Sequence, residues 1–178
     1  MGPDERPATR TPLRGSDPDE LEAFAERTGA ADGPPPFLRL DDQLCFALYS
    51  ATNAVVRAYR PLLKDLGLTY PQYLVMMALW EQDDISLGDL AARLDLPLHG
   101  LSPVLERLDQ AGLLARLPDP SDRRVSRVSL TPAGQALEQQ AALVAYQVRC
   151  HTELAPDGID RLRQELHELN QRISRHLD

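Results

Sequence analysis

Apolar residues recur at helical spacing from Phe37 onward, and the chain before that point has no such period. In DDQLCFALYSATNAVVRAYRPLLKDL the spacing predicts one helix, capped by Asp41 or Asp42 and running to about Lys64. Pro61 should bend or loosen its last turns, and Gly67 is placed to stop it. Thr69 and Gln72 stand in capping-box spacing with Pro71 in the first turn, so TYPQYLVMMALWEQ is the next helix. Ser86 and Asp89 repeat the capping logic for SLGDLAARLDL, and a further helix covers roughly residues 98–111, ended by Gly112. The period then falls from helical to two. LLARLP and RVSRVSL alternate as strands do, and the turn-rich DPSDR between them predicts a β-hairpin. Thr131-Pro132 restarts helix, which is expected to run on through AGQALEQQAALVAYQVRCHTEL. A last amphipathic helix, IDRLRQELHELNQRISRHL, carries Leu162, Leu166, Leu169 and Ile173 as one apolar stripe.

Residues 1–36 differ in kind. They are rich in Pro, Gly and acids, end in GPPP, and hold eight acids against four arginines, which is half of the whole chain's net charge of −8. Such a segment cannot bury enough apolar surface to offset its ordering entropy, so disorder is expected there, with PDELEAFAERT over 18–28 as a candidate short helix. Residues 37–178 then form the folded domain, with a lobe over 69–131 and flanking helices over 37–66 and 132–178. Hydrophobic residues make up 43% of the chain, enough for a core. Two cysteines, Cys45 and Cys150, build no disulfide framework and fit a reducing compartment. No apolar run approaches the roughly 20 residues of a membrane helix, and the N-terminus lacks the apolar stretch of a secretory signal, so no membrane partner and a cytoplasmic location are expected. Four scattered histidines form no metal cluster, His167-Glu168 lacks the second histidine of HExxH, and no Gly-rich phosphate loop is present. No metal or cofactor is therefore expected.

A short helix, a tight connection, a second helix and a two-stranded hairpin make a winged helix-turn-helix. The fold class expected is mainly α, with a small β-hairpin wing and long helices at both chain ends. The geometry suits double-stranded DNA, because the second helix fits the major groove while the hairpin reaches a flanking groove. From Arg93 to Arg127 six arginines face five acids, a locally cationic surface inside an acidic protein, as phosphate contact requires. Leu98, His99, Ser102 and Arg107 are the candidates on the second helix, and Arg123, Arg124 and Arg127 on the wing.

The run LGDLAARLDLPLHGLSPVLERLDQAGLLARLPDPSDRRVSRVSLTPAG resembles the DNA-binding core of the MarR family, most specifically in DPSDRRVSRVSLTPAG. The resemblance implies an obligate homodimer of intertwined terminal helices, presenting two recognition helices and two wings to a near-palindromic operator. Upstream, DDQLCFALYSATNAVVRAYRPLLKDLGLTYPQYLVMMALWE is similar to the OhrR branch of that family, the organic-hydroperoxide-sensing repressors. What this likeness implies is a peroxide-reactive residue at Cys45, thiolate-holding or pocket-lining tyrosines at Tyr49, Tyr59 and Tyr70, and a resolving cysteine at Cys150 that closes an intersubunit disulfide. At residues 97–100 the chain has Pro-Leu-His-Gly where that branch usually has small hydroxylated or acidic residues.

On a helix, Cys45 and Tyr49 share a face one turn apart. Cys45 lies near the helix start, where the dipole and unpaired amides favour an anion, while Asp41 and Asp42 act against it. Arg149 and His151 flank Cys150 and would favour its thiolate. The expected function is a DNA-binding repressor that releases its operator when an organic hydroperoxide oxidises Cys45. Two other readings are a repressor gated by a small phenolic or aromatic ligand and a thiol peroxidase. No acid near Cys45 is placed to protonate a leaving alcohol, so an enzyme is not expected.

Overall fold

The computed structural model describes residue 19, residues 39–122 and residues 124–176. The expectations for the 1–36 tail, Asp19 apart, and for Arg123 lie outside the described residues. The chain divides into two compact units, with the division between Asn53 and Ala54.

A short 3-10 turn, Leu40–Asp42, precedes helix α1 (Leu44–Lys64). Asp41 and Asp42 therefore lie in that turn and do not cap α1; the Gln43 carbonyl instead accepts from the Ala47 N–H at 3.1 Å. α1 also runs unbroken through Pro61, where local unwinding was expected. Proline removes one N–H from the ladder, and both Pro61 and Arg57 are exposed, so water can take the carbonyl left over. The helix stops at Gly67, whose φ of +68° lets its N–H reach the Lys64 carbonyl and the Leu68 N–H reach that of Leu63.

The second unit is built round helix α2 (Tyr70–Glu81), which is apolar on nearly every side and so must be wrapped. Tyr73, Val75, Met76 and Leu79 are buried within it. Its start is fixed by Gln72, whose side-chain oxygen accepts from the Thr69 N–H at 2.8 Å and the Thr69 hydroxyl at 2.9 Å. Next come a two-residue strand β1 (Ile85–Ser86), helix α3 (Leu87–Arg93) and helix α4 (Leu98–Gln110). Ser86 caps α3 by accepting from the Asp89 N–H at 3.1 Å. α4 is two-faced: Leu101, Leu105 and Leu108 are fully buried, each contributing roughly 1.5–3 kcal/mol, while Leu98, His99, Ser102 and Arg107 are exposed.

Gly112, at φ +69°, closes α4 with the same turn that ends α1 and feeds strand β2 (Leu114–Pro118). β2 pairs antiparallel with β3 (Ser126–Leu130), with Leu114 opposite Leu130 and Pro118 opposite Ser126. The hairpin is part of a three-stranded sheet in the order β1-β3-β2. A strand of two residues is too short to show alternation, so β1 was illegible in the sequence.

Thr131 accepts from the Gly134 N–H and starts helix α5 (Pro132–Ala136). The single long helix expected from here divides at Leu137, and α6 (Glu138–His151) follows. α5 is held at Gly134, whose carbonyl accepts from the Trp80 indole and whose α-carbon packs against the Leu113 carbonyl, whereas α6 buries its own stripe of Ala141, Val144 and Val148, and the chain breaks between the two anchors. Helix α7 (Pro156–Ser174) buries no residue; Leu162, Leu166 and Ile173 remain exposed. The Asn170 side-chain amide donates to Asp95, in the turn just before α4, at 3.1 Å. No described helix is long and apolar enough to cross a membrane, and no group of three or more potential ligands among the described residues could hold a metal ion.

Candidate functional site

On α4, Leu98 and His99 lie four and three residues before Ser102, so these three share one exposed region of the helix, and Arg107, five residues further on, is exposed but lies farther round it. α4 begins at Leu98 despite the Pro-Leu-His-Gly sequence, because proline is compatible with a helix start and the Pro97 carbonyl accepts from Gly100 at 2.9 Å and Leu101 at 3.2 Å. Pro97 supplies no side-chain cap, so the first amides of α4 stay open to an anion. The Ser102 hydroxyl donates to the Leu98 carbonyl at 3.1 Å, which leaves its oxygen as an acceptor.

The wing loop between β2 and β3 is held by one carboxylate. Asp119 Oδ1 accepts from the Ser121 N–H at 2.8 Å, the Ser121 hydroxyl and the Asp122 N–H at 3.2 Å. Those bonds, with the Ser121 hydroxyl foremost, lower the Asp119 carboxyl to about 2. Arg124 projects from the loop with its side chain 91% exposed, paired to Asp122 by Nε at 3.0 Å and Nη2 at 2.9 Å. That pair holds the Asp122 carboxyl below its ordinary range. Arg127 is placed otherwise than expected. Its side chain is 29% exposed, and its guanidinium bonds to Asp84 and to Asp119. Arg123 lies outside the described residues.

Cys45 and Tyr49 sit one turn apart on α1, in the first unit, and both are exposed. Tyr59 and Tyr70, in the second unit, stack with Tyr73: ring centroids lie 5.2 Å apart for Tyr59–Tyr70 and 5.3 Å for Tyr59–Tyr73. Burial raises all three phenol pKa values, that of Tyr73 most, and the Tyr73 hydroxyl bonds to that of Tyr59. All three are thus neutral donors at ordinary pH. Tyr73 was absent from the expected set, although its place three residues after Tyr70 puts it on the same helical face. Cys150 is a free, exposed thiol on α6. A cleft of about 750 Å³ opens beside Tyr70, walled by Val56, Pro61 and Leu68 with Arg60 and Lys64 at its rim.

A family model described as MarR matches residues 68–126, the span from the end of the α1 turn into β3. The chain is 38% identical over 135 residues to the HTH-type transcriptional regulator TtmR of Methylorubrum extorquens, covering 72% of this chain and 69% of that protein. It is 32% identical over 132 residues to the organic hydroperoxide resistance transcriptional regulator of Bacillus subtilis, covering 74% of this chain and 90% of the relative. Among solved structures, reduced AbfR bound to DNA superposes with a TM-score of 0.67 at 31% identity, over 79% of this chain and 96% of that one. The same protein has also been solved overoxidised on DNA and in a disulfide-formed state, with TM-scores of 0.65 and 0.54.

Proposed function

The chain belongs to the MarR family of transcriptional regulators, a DNA-binding protein and not an enzyme, and from that premise we propose that it is a homodimeric repressor whose hold on operator DNA is set by oxidation of Cys45. The observation that carries this reading is an exposed Cys45 in the first turn of α1, one turn from Tyr49, in a chain 32% identical to an organic hydroperoxide resistance regulator. The Cys45 thiolate attacks the terminal peroxide oxygen of an organic hydroperoxide. The O–O bond breaks, the alkoxide leaves as an alcohol after taking a proton, and the sulfur becomes a sulfenic acid. The thiolate of Cys150 in the other subunit then attacks that sulfur and expels hydroxide, which takes a proton from solvent to leave as water, closing a disulfide. The phenol of Tyr49, one turn from Cys45 on α1, holds the reduced thiolate by donating to it. The terminal helices shift on oxidation, the spacing of the two α4 helices changes, and DNA is released. A thiol restores the reduced form.

The dimer is supported by apolar faces that no described residue of the chain covers: Leu162, Leu166 and Ile173 on α7 are 41% to 50% exposed. Reduced protein is titrated with a duplex selected by the wild type from a randomised pool, then again after one equivalent of cumene hydroperoxide. Affinity should fall in wild type and hold in Cys45→Ser. Unchanged wild-type affinity would end the redox reading. The cleft beside Tyr70, apolar with two cations at its rim, favours a second reading, in which a phenolic or aromatic ligand gates DNA binding. In that case salicylate would release the duplex and hydroperoxide would not.

A further inference from the structure

Arg127 was expected to touch DNA, and its surroundings speak for a different task. We propose that Arg127 is a positioning residue that fixes the aim of the wing, clamping the sheet from its central strand, and that it makes no contact with DNA itself. The inference rests on the wing acting in DNA binding.

β3 is the middle strand, and Arg127 lies opposite Ser86 of β1 on one side and Leu117 of β2 on the other. Its guanidinium reaches both flanks. Nε donates to Asp84 Oδ1 at 2.8 Å and Nη2 to the Asp84 carbonyl, on the turn just ahead of β1. Nη1 donates to Asp119 Oδ2 at 3.3 Å, just after β2. All three nitrogens are thus engaged, and a planar fork is the side chain suited to span two acceptors in this way. The second oxygen of Asp119 holds Ser121 and Asp122, so one carboxylate joins the clamp to the wing loop. The far anchor is stiff as well. Asp84 sits at φ +51°, a left-handed backbone that its neighbour Asp83 secures by accepting the Asp84 N–H at 2.8 Å, while the same Asp83 oxygen accepts the Leu130 N–H at the other end of β3.

Charge excludes the simpler role. One guanidinium between two carboxylates is a net negative site, and a phosphate approaching it meets repulsion. Arg124 is the contrast, at 91% exposure against 29% for Arg127.

Operator binding by full-length Asp84→Asn, Asp119→Asn, Arg127→Ala and Arg127→Lys is measured across a salt series, on the duplex the wild type selects from a randomised pool. Removing an acid beside a polyanion normally strengthens binding, and if Arg127 were a phosphate contact, freeing it would do so further. The clamp predicts the opposite. Each Asn variant should weaken binding about three- to tenfold with the wild-type salt slope retained, since no phosphate contact is lost. Arg127→Lys should recover only part of the loss of Arg127→Ala, because an ammonium is a point charge that cannot bridge both anchors. Amide hydrogen exchange at Ser121 and Asp122 should quicken in Arg127→Ala while the α2 amides keep their protection, which separates an unlatched wing from general unfolding. Tighter or unchanged binding by the Asn variants overturns the proposal, as does a salt slope about one unit shallower in Arg127→Ala. A wild type that retains no duplex from the pool overturns the DNA-binding reading along with it.

Discussion

The Trp80 indole N–H donates to the Gly134 carbonyl at 3.0 Å, tying the end of α2 to the first turn of α5 across 54 residues of sequence. The fit at that point is tight. A Cβ on Gly134 would stand 2.0 Å from the Leu113 carbonyl oxygen, which is backbone and cannot swing aside. Gly134→Ala must therefore displace α5 from the start of β2, at a cost of about 1–3 kcal/mol. Trp80→Phe keeps the ring and loses the bond, and should cost about 1–2 kcal/mol for a half-buried carbonyl left without its donor. Thermal or urea unfolding of the two variants checks both figures, and Gly134→Ala as stable as wild type would mean that α5 shifts freely.

The exposed face of α4 yields a separable prediction. Ser102 spends its hydroxyl proton on its own helix, and His99 is exposed, so the double variant His99→Ala/Ser102→Ala should unfold within about 0.5 kcal/mol of wild type. Its affinity for the selected duplex should nevertheless fall, by about 1–3 kcal/mol for each base-edge contact removed. A protected footprint unaltered in extent and affinity would show that another face of the molecule meets the groove.

At the wing tip, the Arg124–Asp122 pair is too exposed to stabilise the fold appreciably. Arg124 is free to exchange Asp122 for a phosphate. Arg124→Ala should weaken binding to all sequences alike and make the salt slope shallower by about one unit. If the guanidinium enters the minor groove, the loss will be greatest at A·T-rich flanks. A slope identical to wild type would remove Arg124 from the interface.

Much of this architecture was legible because its signals are local. Thr69, Ser86 and Thr131 each begin a helix where capping spacing places it, and Gly67 and Gly112 end helices at positive φ. What stayed hidden depends on distant partners. β1 exists only because β3 lies beside it, the Leu137 break comes from Gly134 being pinned to Leu113 and Trp80, and Arg127 turns inward to an aspartate 43 residues away. By charge the wing arginines are equivalent, and it is side-chain exposure that separates Arg124 from Arg127. Tyr73 escaped for a related reason: a buried tyrosine that orients other tyrosines looks, in sequence, like one more apolar residue of α2.

The pH behaviour follows from two opposite shifts. The Asp119 carboxyl lies at about 2 in the folded chain, below its ordinary 3.8, so its contribution is complete above about pH 5 and is lost as pH falls through 4 toward 2. The wing should loosen there first, seen as faster exchange of the Ser121 and Asp122 amides. Tyr73 is shifted the other way by burial, then by Tyr59. Its folded pKa lies above the ordinary 10, so stability is intact below pH 10 and falls above it as the unfolded phenol ionises. Tyr73→Phe should flatten that alkaline loss, and an unaltered alkaline slope would assign it to other groups.

The two cysteines give the last prediction. Cys45 and Cys150 are both free and exposed in the reduced chain. Oxidised wild type should run as a covalent dimer on a non-reducing gel, and either single serine variant as a monomer. Cys150→Ser should still release DNA on hydroperoxide treatment if, as proposed, the sulfenic acid at Cys45 is by itself the signal. Its oxidised form should be harder to recover with thiol, since nothing caps the sulfenic acid before it reaches the sulfinic state, which thiols do not reverse. A monomeric oxidised wild type with both thiols lost would place the bridge within one subunit. A Cys45→Ser protein that still lets go of DNA on peroxide would return Cys45 to the role of a small apolar residue on α1.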